Sequence, residues 1–454
     1  MRNRNSRLPA IGRRLAAIAL IVSVSAFSAV VEGQDADAGR RAARRTPVVE
    51  VFNKYNDSVV FLTGPMVKKD GPTTDEFFIL PKTENVMNVG SGFVVHPAGY
   101  VVINAHATKR VIALEVVLSD GKKCAAELVG LILNQDLALV KIEPPRPLNP
   151  VKLAGSGDLM IGETVIVIGN PHRLLHSCTA GVLSAVDRST DPSGLPGITL
   201  RDLIQTDAAI NPGSSGCPWF NALGEVIGVT ASRKDDADNI AFAISVATLR
   251  NYLPKMLDVE RRYGLVTGLA VRTGAPCRVA SIAGNSPAAR AGLKPGDVLL
   301  GLDGKSIPTA TDYHLALVGR QPGQTLKLRV LHDGKQADTS LTITRRAQPD
   351  GAALLKSKFG FTAVPLDKQT ARETALRVHR GVIITKIDEG LYEQLKPPPR
   401  SGDILARING FRPRDLDHVG LLLEHVRRGQ TTEMVLLRLR DEVATRVDLK
   451  VVAR

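Results

Sequence analysis

Short apolar runs separated by Gly, Pro, Asn or Asp fill the chain from about residue 46 to 250. They include "SVVFLTG", "SGFVVHP", "GYVVINA", "LALVKI", "ETVIVIGNP", "GEVIGVTA" and "IAFAISV". Their brevity and β-branched content predict strands closed by turns, and so many of them predict an all-β barrel or sandwich pair. Few helical periods interrupt the span until "VATLRNYLPKMLDVERRY" at its end, whose apolar spacing reads as a closing helix.

The pattern beyond residue 260 repeats. "NSPAARAGLKPGDVLLGLDGKSI" near residue 285 is echoed by "LKPPPRSGDILARINGFRP" near residue 395, about 110 residues later. In both, a Gly-Asp pair follows a turn, precedes an apolar strand and is followed by a second turn, at Asp303-Gly304 or Asn409-Gly410. A helix-like stretch ("ATDYHLALVGR", "DLDHVGLLLEHVRR") and a closing strand ("QTLKLRVL", "TTEMVLLRL") follow each copy. Two copies of one small α+β module therefore make up the C-terminal half.

The first 45 residues differ from the rest. Arginines at 2, 4, 7, 13 and 14 precede the apolar run "LAAIALIVSVSAFSAVV", and small residues follow it, which is the pattern of an export signal over residues 1–33. The same run is long enough to span a bilayer, so a membrane tether is the alternative if the leader is uncleaved. Residues 34–45 are small and charged and read as a linker. These arginines, with Arg40, Arg41, Arg44 and Arg45, carry much of the formal +14 charge. A nucleic-acid surface is therefore not expected, and aromatics at 4% also argue against base-stacking platforms. The four cysteines, at 124, 178, 217 and 277, lack the short pair spacings of a zinc site, and no metal or cofactor is expected.

The candidate chemistry lies in "INPGSSGCPW", residues 210–219. A serine hydroxyl becomes a nucleophile only with a base in reach, and the oxyanion it makes needs backbone N–H donors held by a turn. Gly213 and Gly216 bracket Ser214 and Ser215, so the amides of Gly213 and Ser215 could converge on one carbonyl oxygen, with Ser214 as the turn residue between them. The candidate base is His106, at the end of the "GYVVINA" strand, and the candidate acid is Asp136, at the mouth of the "LALVKI" strand. The chain order His, Asp, Ser is one in which such a triad arises. Asp136 is equally well explained as the cap of a turn.

Taken in order, "GSGFVV", "GYVVINAH", "DLALVKI", "VIGNP", "IQTDAAINPGSSG" and "GEVIGV" resemble the barrel motifs of the HtrA/DegP-type trypsin-like serine proteases, and the repeats resemble PDZ domains. The resemblance implies a mainly β chain: a chymotrypsin-like double β-barrel over 46–256, then two small α+β PDZ domains over 262–347 and 352–452. It makes His106 the general base, Asp136 its orienting acid and Ser215 the nucleophile, with an oxyanion hole from Gly213, Ser214 and Ser215. Where that family usually has Gly-Asn-Ser-Gly-Gly, this chain has Gly213-Ser214-Ser215-Gly216-Cys217, two departures beside the nucleophile. Ala209, six residues before Ser215, with Ile227 and Val229, is expected to form a small apolar specificity pocket.

Arg188 is expected in the loop that senses PDZ occupancy. Gly268, Leu269, Ala270 and Val271 of the first module, and Phe359, Gly360 and Phe361 of the second, are expected to receive a peptide carboxylate. The resemblance further implies an exported, periplasmic or cell-envelope, ATP-independent endopeptidase acting on unfolded polypeptides and binding hydrophobic C-terminal peptides. It implies a homotrimer or larger assembly, with Phe52, Tyr55 and Phe61 as candidate contacts or, alternatively, core residues. A catalytically weak PDZ-bearing chaperone or scaffold is the second reading.

Overall fold

The computed structural model describes residues 40–65, 86–108, 114–169, 177–192, 197–233, 237–366, 381–389, 395, 397–440 and 443–454. The expected leader and linker residues through 39 lie outside the described residues. No helix of the described residues is long and apolar enough to cross a membrane.

Six strands, β1 (Val59–Pro65), β2 (Val86–His96), β3 (Tyr100–Ile103), β4 (Glu115–Val117), β5 (Lys123–Ile132) and β6 (Leu137–Ile142), close into a barrel in the order β1-β2-β3-β6-β5-β4. A second sheet contains β7 (Lys152–Leu153), β8 (Thr164–Gly169), β9 (Ser177–Thr190), β10 (Leu200–Thr206), β11 (Pro218–Phe220), β12 (Glu225–Arg233) and β13 (Ala241–Ser245). Its order is β11-β8-β9-β10-β13-β12-β7, and the extra β11–β12 pairing closes six of these strands into a second ring, with β7 added parallel to β12. The strands read as unbroken apolar runs because both of their faces are covered. Val101 and Ile103 of β3 point into the first barrel, while Tyr100 and Val102 join the cluster between the barrels and the closing helix.

That closing helix, α2 (Val246–Leu257), starts at Ser245, whose hydroxyl accepts from the Thr248 amide. It lies against both barrels, and its Met256 is seated on Gly130 of β5: a Cβ there would lie 2.7 Å from the Met256 Cα. The preceding helix, α1 (Pro47–Tyr55), buries Val51 and Tyr55 and stacks Tyr55 on Phe220 of the second barrel, with ring centroids 5.1 Å apart. Tyr55 (2% exposed) and Phe61 (8%) are thus core residues of a single chain and not assembly contacts, whereas Phe52 is only partly buried. Cys217 points into the second barrel toward Gly169, where a Cβ would fall 2.2 Å from its sulfur, so the glycine makes room for the thiol. All four cysteines are outside disulfides.

The first module comprises a four-stranded sheet built from β17 (Val298–Leu302), β18 (Lys305–Ser306), β19 (Thr325–His332) and β20 (Lys335–Thr342), and the separate pair β15 (Leu269–Val271) and β16 (Val279–Ile282). A short pairing of β14 (Leu265–Val266) with β21 (Thr344–Arg345) closes it. The second module is one five-stranded sheet, β22 (Phe361–Pro365), β23 (Val382–Ile387), β24 (Ile404–Ile408), β25 (Thr431–Arg440) and β26 (Val443–Val452), in chain order.

The repeat is literal at the level of single bonds. The Lys294 amide donates to the Asp297 carboxylate at 2.9 Å and the Arg400 amide to Asp403 at 2.7 Å, while the Asp297 and Asp403 carbonyls accept from Val279 and Ile384. At the second turn, Asp303 accepts from the Lys327 amide as Asn409 does from that of Glu433. One difference stands out: the buried Asp297 is met by His332, and its counterpart Asp403 by Arg438 through Nε and one terminal amino group.

The two modules attach to the barrels differently. The core of the first is continuous with the cluster between the barrels, and buried Arg250 of α2 donates to the carbonyls of Leu153 and Ala154 and to the Thr309 hydroxyl that caps the module's helix Ala310–Ala316. The second has a core of its own and is tied on by polar contacts such as Arg346 with Glu424 and Arg261 with the Leu421 carbonyl. Replacing Gly130 by Ala should push α2 off the first barrel and cost about 1–3 kcal/mol, as core overpacking does. Gly284→Ala, which meets nothing within 4 Å, should be close to neutral; urea denaturation of both variants measures the contrast.

Candidate active site

The pairing of β3 with β6 places Ile103 opposite Ala138, so the end of one strand and the start of the other meet at one rim of the first barrel. Past β3, a single 3-10 turn at Ala105–Thr108 carries His106. Before β6, another at Leu133–Gln135 ends on Asp136 in the left-handed region (φ 52°), which Asp tolerates better than most residues. The Asp136 carboxylate is fully buried and receives two groups of one residue: the His106 amide at 2.9 Å and His106 Nδ1 at 2.8 Å. Its carbonyl accepts from the Ala105 amide and from Asn104 Nδ2. A carboxylate accepts from Nδ1, so the neutral imidazole held in this contact has its lone pair on Nε2. The imidazole is 23% exposed, open to a substrate on that side.

The serine loop comes from the second barrel, between β10 and β11. Asn211 to Ser214 form a β-turn closed by the Ser214 amide on the Asn211 carbonyl at 2.9 Å. Pro212 at the second position and Gly213 with φ +98° at the third make it type II. Ser214 is buried, and its hydroxyl accepts from the Asn211 amide at 3.4 Å, on the inside of the turn. Ser215 is half-buried, and its side chain has no hydrogen bond to His106 among the described residues.

Successive amides of this loop have different fates. Those of Ser214 and Gly216 are bonded within the protein, to Asn211 and Thr230, whereas those of Gly213 and Ser215 donate to no backbone carbonyl among the described residues. Ser214 was among the three expected oxyanion donors. Its amide instead closes the turn, which leaves Gly213 and Ser215.

The two barrels meet at this loop. Ser91 of β2, fully buried, donates its amide to the Ser215 carbonyl at 2.8 Å and its hydroxyl to the Gly213 carbonyl at 2.9 Å. A Cβ on Gly216 would stand 2.2 Å from the Ser91 carbonyl oxygen and 3.5 Å from Asn104 Oδ1, so the chain behind Ser215 lies directly against the strand ends that carry His106. Asn104 Oδ1 is itself buried and has no hydrogen-bond partner among the described residues. Sequence reasoning passed over Ser91 and Asn104. The signal for Ser91 was its flanking glycines, Gly90 and Gly92, since glycine inside a strand marks a close backbone approach.

Other expected site residues fall in varied places. Ala209 is exposed near the loop, with its carbonyl accepting from the Thr179 hydroxyl, but Ile227, 1% exposed, lies in the interior of the second barrel and Val229, 0% exposed, in the cluster between the barrels. Arg188 sits in the β9 ladder, bonded to Gln205 at 3.2 Å, while residues 193–196 of its loop lie outside the described residues. In the first module Gly268 has φ +78°, and β15 after it has one edge unpaired among the described strands. In the second, Phe359 ends the helix Gly351–Phe359, Gly360 caps it through bonds to the Leu355 and Lys356 carbonyls, and Phe359 and Phe361 are both fully buried in the core. That turn is a helix C-cap, with its aromatic residues facing inward.

A family profile described as a trypsin-like peptidase domain matches residues 90–229, and one described as a PDZ domain matches residues 227–343. The five-stranded sheet of the second module lies beyond both matches. A probable periplasmic serine endoprotease DegP-like of Pseudomonas putida is 30% identical over 353 residues, covering 72% of this chain and 72% of its own. A protein of the same description from Halomonas elongata is 32% identical over 351 residues, covering 72% and 71%. The periplasmic serine endoprotease DegP of Escherichia coli is 36% identical over 283 residues, covering 58% and 59%. The paired barrels, the serine loop between them and these relatives together assign the chain to the HtrA/DegP-type family of trypsin-like serine endopeptidases.

Proposed function

We propose that this endopeptidase cleaves unfolded polypeptides through His106, Asp136 and Ser215, and that the observation carrying this reading is the arrangement at the barrel seam. A histidine oriented by a buried carboxylate follows the strand end against which the second barrel lays a half-buried serine's loop, and two amides of that loop meet no backbone carbonyl among the described residues. Ser215 Oγ attacks the peptide carbonyl carbon as His106 Nε2 takes its proton, and the amides of Gly213 and Ser215 receive the oxyanion. Collapse breaks the C–N bond, with His106 returning the proton to the departing amine. A water molecule then repeats the sequence on the acyl-serine, releasing the acid and restoring Ser215. Asp136 keeps the imidazole in the tautomer with Nε2 unprotonated.

The same reading takes the protease domain as 46–256 and the modules as 262–347 and 352–452. Ala209 carries no charge and favours a small aliphatic side chain before the scissile bond. The free edge of β15, behind the Gly268 turn, suits an extended hydrophobic C-terminus added as a strand, and this module serves for substrate capture or control. The inward-facing Phe359 and Phe361 favour a supporting role for the second module. The periplasmic relatives and the N-terminal leader pattern support export to the cell envelope. A trimer or larger homo-oligomer belongs to this reading, with contacts other than Tyr55 and Phe61. The absent Ser215–His106 hydrogen bond favours a second reading, a weakly catalytic chaperone or scaffold, although such bonds commonly tighten only around substrate.

Digestion of unfolded casein, with cut sites read by mass spectrometry, separates the two readings. The full chain should cut after Ala, Val or Ile. Ser215→Ala should lose about a millionfold in kcat and Ser214→Ala should still cut; the opposite pattern would move the nucleophile to Ser214. Asp136→Asn should retain the fold by circular dichroism and lose about ten-thousandfold in kcat, because the ring would then be held in the wrong tautomer. Casein left intact by the unmodified chain, even with a hydrophobic C-terminal peptide added, would establish the scaffold reading.

A further inference from the structure

The seam between the barrels contains one side chain that spans it and that the reaction scheme leaves unused. Ser91 lies on β2 of the first barrel, 122 residues from the carbonyl that its hydroxyl meets. Its surroundings are closed: the side chain has no exposure, and Gly92 beside it admits no Cβ, since one would lie 2.7 Å from the Val102 carbonyl oxygen. On the loop side, Gly216 is equally intolerant of a side chain because of the Ser91 carbonyl. On the strand side it is Gly90 that faces the loop, since a Cβ there would lie 3.0 Å from the Ser215 carbonyl oxygen, so Gly90 and Gly216 let the two backbones come close enough for Ser91 to bond twice.

The carbonyls it holds belong to alternate peptide units. The unit joining Gly213 to Ser214 is fixed at both ends, its carbonyl by the Ser91 hydroxyl and its amide by Asn211. The unit joining Ser215 to Gly216 is fixed likewise, its carbonyl by the Ser91 amide and its amide by Thr230. Between and before these two lie the units carrying the Gly213 and Ser215 amides. With their neighbours immobilised, those amides are confined to one orientation, in which no carbonyl among the described residues accepts from them. A donor pair serves catalysis in proportion to how little it must reorganise when charge develops. The hydroxyl also fixes the loop of the second barrel against the rim of the first, where His106 stands.

We propose that Ser91 is a positioning residue for catalysis: its hydroxyl, by holding the Gly213 carbonyl, aligns the Gly213 and Ser215 amides as the oxyanion site and sets the serine loop in register with His106. This rests on the reading of Ser215 as nucleophile. Because the Ser91 amide remains in any substitution, loss of the hydroxyl leaves the loop attached but free to tilt. The consequence falls on the transition state, where donor alignment counts, and spares ground-state binding.

The test compares Ser91→Ala, Ser91→Cys and Ser215→Ala in the full chain, on a short chromogenic peptide ending in Val. Ser91→Ala should lose about ten- to a hundredfold in kcat, somewhat less than removal of an oxyanion donor itself, with KM within about twofold. Its affinity for the matching peptide aldehyde, which forms a tetrahedral adduct, should fall by the same factor as kcat/KM. Ser91→Cys preserves volume and offers a weaker donor, so it should fall between Ala and Ser; it decides the matter if Ser91→Ala unfolds. A kcat within about twofold of the unmodified chain in these variants, or a loss confined to KM, would overturn the positioning role. Activity surviving in Ser215→Ala would instead remove the reading beneath it.

Discussion

Everything chemical in this protein depends on the close approach of two backbones at the seam between the barrels. The first barrel alone orients a histidine, through two bonds from His106 to one buried carboxylate. The second alone presents a serine on a type II turn. Neither can hydrolyse a peptide bond, because base and nucleophile must share a near-attack geometry. The contact of Gly90 and Ser91 with Ser215 and Gly216 brings the halves together. The surrounding features serve it: Tyr55 stacked on Phe220, α2 seated on Gly130, and strands apolar on both faces all hold the barrels face to face.

The catalytic candidates were legible in the sequence because each sits beside strong local punctuation. His106 follows an apolar strand, Asp136 precedes one, and Ser215 lies between glycines. The strands themselves were legible for the same reason, and so was the repeat, whose Asp297 and Asp403 occupy the same turn and make the same bonds. What escaped was whatever depends on pairing between distant segments. The hydroxyl contact of Ser91 with Gly213 is such a case, as is the buried Oδ1 of Asn104, which has no partner among the described residues. Ile227 and Val229 were misplaced as pocket walls because an apolar strand residue near the site looks the same whether it lines a cleft, the barrel interior or the layer between the barrels. Ser214 was misassigned as a donor because the sequence does not say which amide a turn consumes. Phe359 and Phe361 looked like a carboxylate-binding turn, and the helix ending at Gly360 turns them inward.

The departures from the usual motif at Ser214 and Cys217 also find a physical account. Ser214 turns its hydroxyl to the amide of Asn211, inside the loop, and Cys217 fills the space left by Gly169 in the second barrel. Ser214 is thus taken up within its own turn and Cys217 within the barrel interior. The modules differ more deeply than their shared turns suggest. The first is fused to the barrels through a common core and the buried Arg250, which bonds both the cap of its helix Ala310–Ala316 and the Leu153 carbonyl of β7. The second has its own core and an Asp403–Arg438 pair where the first has Asp297 and His332, which makes it the more independent unit.

The central claim is that the seam activates one serine of the adjacent pair. It is tested most directly by treating the full chain with diisopropyl fluorophosphate and locating the adduct by tandem mass spectrometry of the peptide spanning residues 202–233. The account predicts a single phosphoryl group on Ser215, formed quickly in the unmodified chain and absent after Asp136→Asn. An adduct on Ser214, or a chain that takes no label while remaining folded, would contradict it.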